Sequence, residues 1–131
     1  MARERVVLTV PAKGEYARAV RMTAAALASR TGMSYDEVDD VRMAAEESFV
    51  YAVDSLTEGD EVTITFEVAD DALGLQVCLG TVSSDADGEA ERASLAMFIL
   101  DSVCDRYEFT SDAAGMRTLA IEKRAGTTDA G

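Results

Sequence analysis

The chain contains no histidine at any of its 131 positions. That absence removes Ser-His-Asp and Cys-His catalytic arrangements and every zinc site built on imidazole. The two cysteines, Cys78 and Cys104, cannot supply four thiolates, and both lie in apolar runs, so they are expected as two buried free thiols. Cations are scarce too: 12 Lys and Arg stand against 25 Asp and Glu, a net charge of −13. Nucleic acid and anionic membrane surfaces both need a basic patch to displace counterions, so neither is an expected partner; a basic protein is the favoured match in charge. No apolar run approaches the roughly 18 residues that a membrane span requires. The opening MARERVVLTV has too short an apolar stretch for a secretory signal, which places the expected location in the cytoplasm.

What is present fits one ordinary domain. At this length about two thirds of the unfolded chain's surface should be buried on folding, and the apolar fraction of 48% is enough to do it. Val6 to Val10 is a β-branched run closed by Pro11, the one proline, and reads as a strand. From Gly14, Tyr16, Val20, Ala24 and Leu27 fall on one helical stripe, with Gly32 as the stop. Ser34 with Glu37 three residues on is a capping-box spacing; Val38, Val41, Ala45, Phe49, Ala52 and Val53 then mark the buried face of a longer helix ending near Leu56. The period changes to two in VTITFEV and LGLQVCL, which the turn Ala69–Asp71 joins as a hairpin. The segment TVSSDADGEAER reads as a polar loop, ASLAMFILDSVCD as a third helix, and YEFTS with TLAIEKR as a second hairpin about Gly115. Met22, Met33, Met43, Met97 and Met116 occupy apolar positions and are expected as core filling.

Strand, helix, helix, hairpin, helix, hairpin gives an α/β two-layer sandwich of the α+β kind. The expected sheet is mixed, mainly antiparallel and five-stranded, with three helices on one face. The domain is expected over residues 1–124, with 125–131 a frayed, disordered tail.

The stretch VVLTVPAKGEYARAVRMTAAALASRTGMSYDEVDDVRMAAEES resembles the N-terminal half of the anti-sigma-factor serine kinases of the RsbW and SpoIIAB type, a branch of the histidine-kinase-like ATPases. ASLAMFILDSVCDRYEFTSDAAGMRTLAIEKR resembles the C-terminal half of that family. The resemblance implies the histidine-kinase-like (Bergerat) fold. It also implies binding of a sigma factor or of an anti-sigma antagonist protein, homodimer formation, and use of Mg-ATP to phosphorylate a serine on the antagonist.

Three boxes carry the nucleotide chemistry that the resemblance implies. In AAEESFVYAV, Glu47 matches the general base, while the position of the magnesium-binding Asn holds Tyr51. The aspartate that accepts the adenine amino group is replaced by Leu79, or by Cys78 in the neighbouring alignment, with Gly80 as a remnant glycine. The glycine-rich lid that opens the last helix, where backbone N–H groups meet phosphate, corresponds to Ser94-Leu95-Ala96-Met97. The acidic residues before it, Asp85, Asp87, Glu89 and Glu91, would repel a triphosphate. ATP and magnesium are therefore not expected as cofactors unless the pocket is retained, and no metal site is expected. Asp54 is the one nearby carboxylate that could stand in as a relocated metal ligand. In family terms the first helix faces partners, which makes Arg18 and Arg21 candidate partner-binding residues; a solvated helix arginine is the plain alternative. Three readings stay open: a non-catalytic pseudo-kinase that sequesters a protein, an active serine kinase using Glu47, and a homodimeric scaffold.

Overall fold

The alternation in the two central strands sets the layer boundary. In β2 (Glu61–Val68), Val62, Ile64, Phe66 and Val68 are buried; in β3 (Ala72–Gly80), Leu73, Leu75, Val77 and Leu79 are. The register places Ile64 opposite Val77, Phe66 opposite Leu75 and Val68 opposite Leu73, so the apolar rows of the hairpin share one face. The computed structural model describes residues 3–56, 60–80 and 86–126, the side chains of 86–90 excepted.

Across this hairpin the sheet runs β1-β2-β3-β5-β4, with β1 at Glu4–Pro11, β4 at Arg106–Ser111 and β5 at Arg117–Arg124. Every ladder is antiparallel, which corrects the mixed sheet expected from the sequence. The reason is topological: the crossover from β3 through the third helix lands β4 one place too far out to pair with β3. β5 then returns between them in the reversed sense.

The helices pack on the apolar face. Val20, Ala24 and Ala28 of α1 (Ala17–Ala28) are buried on the predicted stripe, after a 3-10 turn at Gly14–Tyr16. The helix ends at Ala28 and tightens into a turn through Thr31, whose N–H donates to Ala28 O at 3.0 Å; Gly32, the stop expected from the sequence, lies beyond that turn at φ +77. The capping box of α2 (Tyr35–Ser55) is closed on both sides: the Glu37 N–H donates to Ser34 Oγ at 3.1 Å, and the Ser34 N–H donates to Glu37 Oε1 at 2.7 Å. Phe49 and Phe66 are fully buried at the centre of the core; burying each stabilises the fold by about 1.5–3 kcal/mol.

Four further expectations change. The third helix, α3 (Ala86–Val103), begins well inside the segment read as polar loop, because Ala86, Glu89, Ala90, Glu91 and Arg92 are strong helix formers that outweigh Gly88; residues 81–85 of that segment lie outside the described residues. The methionines are not core filling: Met22, Met43, Met97 and Met116 are exposed, and Met33 alone of the five packs against the core. Met22 and Met43 fall off the stripes that Val20–Ala24 and Val41–Ala45 define, so the helical period turns them outward. Cys78 and Cys104 are free and only partly buried. Cys78 alternates with Val77 and Leu79, so it lies on the face away from the helices, with Sγ 3.2 Å from Met116 Sδ. Burial of the Cys104 thiol pushes its pKa up to about 12.

The predicted tail is partly ordered. The Ala125 N–H donates to Asp71 O at 2.8 Å, and the Gly126 N–H donates to Glu37 Oε2 at 2.6 Å. The carboxylate that caps α2 thus also ties down the end of β5, and backbone N–H groups are what outcompete fraying there. The remainder of the predicted tail, 127–131, lies outside the described residues, as do Asp85 and the side chains of Asp87 and Glu89.

Candidate functional site

Helix α2 has two flanks, and the sequence-predicted residues divide between them. On the flank toward β4, Tyr51 is 3% exposed, with its ring centroid 5.5 Å from that of Phe109 in a tilted pair. Tyr107 meets Phe109 edge-on at 6.4 Å and donates its hydroxyl proton to Asp101 Oδ1 at 2.8 Å. That hydrogen bond holds the Tyr107 phenol protonated to higher pH than usual. Leu79 and Ala96 are fully buried in the same core, alongside Leu100. The positions predicted for the magnesium ligand, the adenine acceptor and part of the lid are therefore occupied by packed apolar groups.

Gly80 ends β3 at a register shift with φ +80. The positive φ is what favours glycine here, and a β-carbon would in addition sit 2.7 Å from Leu56 Cδ2, so that side chain would have to shift. Arg117 reaches back along the same turn, its Nε 3.4 Å from Gly80 O. Ser94 is exposed, and both Ser94 and Ala96 lie in the interior of α3. A backbone N–H in a helix interior donates to the carbonyl four residues earlier, so Ser94-Leu95-Ala96-Met97 does not open the helix as the lid comparison required. These residues do not fit a magnesium–nucleotide group: a phenol, two aliphatic chains and a closed helical turn offer neither a carboxamide ligand nor free N–H donors.

Glu47 is the position predicted for the general base. It is half-buried on α2, and burial first, then the charges of Glu46 and Asp54, raises its carboxyl above the usual range. Asp54 is exposed on the same helix face. Among the described residues, no group of three or more His, Cys, Asp and Glu side chains is arranged to hold a metal ion.

The opposite flank of α2, toward α1, is open. Arg18, Arg21, Met22 and Ala25 of α1 face Tyr35, Val38 and Arg42 of α2 across a groove of about 510 Å³. Arg21 Nη1 pairs with Glu46 Oε2 at 3.1 Å, and Arg42 Nη1 with Asp39 Oδ1 at 2.9 Å. Exposed pairs of this kind contribute about 0–1 kcal/mol and release easily to a better partner. Tyr35 is 86% exposed and Met22 61%, an apolar wall beside three guanidinium groups on an otherwise acidic molecule. Sequence reasoning picked Arg18 and Arg21 but missed Tyr35, Val38 and Arg42. The spacing i, i+3, i+7 of these three was a readable signal of one helix face. Phe109, which closes the other flank, left no local signal at all.

This fold is that of a family. A profile described as Histidine kinase-like ATPase domain matches residues 10–122, and the chain belongs to that family. Among curated relatives, a protein named Serine-protein kinase RsbW from Halalkalibacterium halodurans is 26% identical over 125 residues, covering 83% of this chain and 77% of the relative. Proteins of the same name from Bacillus cereus strains AH187 and ATCC 10987 are each 34% identical over 84 residues. These matches cover 63% of this chain, which spans about half (52%) of each Bacillus protein. Both comparisons agree with the resemblance read from the sequence. No helix among the described residues is long and apolar enough to cross a membrane.

Proposed function

We propose that this chain is an anti-sigma-like binding module, a pseudo-kinase that captures a sigma factor or an antagonist protein without transferring phosphate. The observation that carries the reading is the burial of Tyr51, Leu79 and Ala96 together, with Tyr51 stacked on Phe109. A nucleotide pocket of this family's kind needs a metal ligand at the first position, a hydrogen-bond acceptor for adenine at the second and an accessible backbone at the third. The resemblance read from the sequence implies the partner class, and the groove between α1 and α2 offers a surface for it. Arg18 has an exposed guanidinium, and Tyr35 and Met22 give apolar contact area, a combination enriched where proteins bind one another.

The test uses purified chain, labelled ATP with magnesium, and a serine-bearing antagonist. No transfer is expected, and no shift of the melting midpoint in millimolar Mg-ATP. A ligand binding only the folded state at a hundred times its dissociation constant would add about 2.7 kcal/mol. Phosphate transfer that disappears in Glu47→Ala would overturn the reading. The second reading, an active serine kinase, is favoured by one observation: Glu47 keeps a raised pKa, as a general base working near neutral pH would need. In that reading Glu47 accepts the serine proton. Self-association belongs to the proposal as well, and sedimentation of the chain alone reads it directly.

A further inference from the structure

The outward face of α3 carries bulky apolar side chains that neither the sheet nor the other helices cover. Phe98 is 76% exposed and Leu95 60%, three residues apart and therefore adjacent on one helical face. Ala96, Leu100 and Val103 point the other way into the core, so the exposure is not a fraying of the helix. The Phe98 face continues into Glu91 one way and Asp101 and Ser102 the other, all exposed. The helix ends with no basic residue in its last turn. An exposed aromatic–aliphatic pair rimmed by carboxylates is the usual composition of a docking site, apolar at the centre and charged at the edge.

We infer that this face of α3 docks a basic amphipathic helix of a protein partner, with Phe98 and Leu95 as anchors and Glu91 and Asp101 pairing with its lysines or arginines. The choice of occupant follows from charge. A second copy of this chain brings another −13 to the contact, and an acidic or uncharged helix leaves both rim carboxylates without a cation. A basic amphipathic helix satisfies centre and rim together, in the helix-on-apolar-face mode. The site lies apart from the groove between α1 and α2, on a different helix, and it needs no phosphate transfer. Its failure would therefore leave the proposed function untouched, and the reverse holds too.

The experiment measures fluorescence anisotropy with a labelled helical peptide patterned in lysine with leucine and phenylalanine. A second peptide has the same apolar pattern with glutamate in place of lysine. The proteins are the full chain, Phe98→Ser, Leu95→Ser and, as an exposed apolar control on β1, Val7→Ser; thermal melts establish that each variant is folded. The expected result is saturable binding of the basic peptide, weakened at least tenfold in Phe98→Ser, several-fold in Leu95→Ser and not in Val7→Ser. Salt should weaken the binding without abolishing it, since charge contributes only at the rim. Equal binding of the acidic peptide, or equal affinity in all four proteins, would overturn the inference. So would a wild-type dimer that Phe98→Ser dissociates, because a second copy would then be the occupant. Should either α3 variant fail to fold, Phe98→Leu replaces it, with binding weaker than in the wild type and in Val7→Ser expected; affinity equal to theirs would overturn the inference.

Discussion

The two flanks of α2 were built from the same helix and ended differently. Toward α1, the helix presents Tyr35, Val38 and Arg42 to an open groove of about 510 Å³. Toward β4, it presents Tyr51 to Phe109 and closes. The difference lies in side-chain volume and in what faces it. A phenol meeting an aromatic strand residue excludes water and fixes the packing. On the open flank the arginines turn aside to acidic neighbours, Arg21 to Glu46 and Arg42 to Asp39, and among the described residues no bulky apolar side chain fills the space between the helices. The flank that carries Tyr51 packs into the core with Leu79 and Ala96, and the flank left open has the composition of a contact surface.

The largest expected effect comes from breaking the closed flank. Tyr51→Ala removes a buried ring and should cost about 3–5 kcal/mol, whereas Tyr35→Ala on the open flank should stay within about 0.5 kcal/mol. Denaturant titration of the two variants reads the contrast directly, and comparable losses would erase the distinction between the flanks. Tyr51→Asn restores the family's residue yet should destabilise similarly without producing a Mg-ATP-dependent rise in melting temperature.

Next in size is Gly80→Ala. The positive φ costs about 1–2 kcal/mol, and the new methyl meets Leu56 as well. Substituting Leu56→Ala in the same chain should recover part of that loss, which a double-mutant cycle measures. Below it comes Ser34→Ala, which removes the α2 cap and should cost about 1 kcal/mol by thermal melting.

The smallest effects are pH-dependent and opposite in sign for two carboxylates of α2. The backbone N–H of Ser34 first, then that of Gly126, holds the Glu37 carboxyl below its ordinary value despite some desolvation. Its contribution is therefore present above the unfolded-state pKa, near 4.5, and is lost as pH falls through the folded value. Glu37→Gln should flatten the acid limb of the stability curve. Glu47 has a raised folded pKa, so its protonated form favours folding below the unfolded pKa, and that advantage is lost as pH rises through the folded one. Glu47→Gln should therefore raise the melting midpoint at pH 7 and leave it nearly unchanged at pH 4. A lower midpoint at pH 7 would mean that the carboxylate makes a favourable contact there.

Much of the fold was legible because its signals are local. The alternation in VTITFEV and LGLQVCL and the Ser34–Glu37 cap each act within a few residues, and each appears where expected. The start of α3 was misplaced because Gly88 and the acidic run look like loop, while the surrounding alanine and glutamate favour helix. The methionines were misread because apolar character alone does not say which side of a stripe a residue takes.

The sequence by itself determined the elements, their order, the family and the identity of the residues at Tyr51, Leu79 and Ala96, since periodicity and residue type are properties of short stretches. Only the tertiary structure decided that those three positions lie in one core. It also set β5 between β3 and β4, paired Glu37 with Gly126, and left the α1–α2 groove and Phe98 open. These depend on which distant segments meet, and that is fixed by the cooperative burial of all the faces at once.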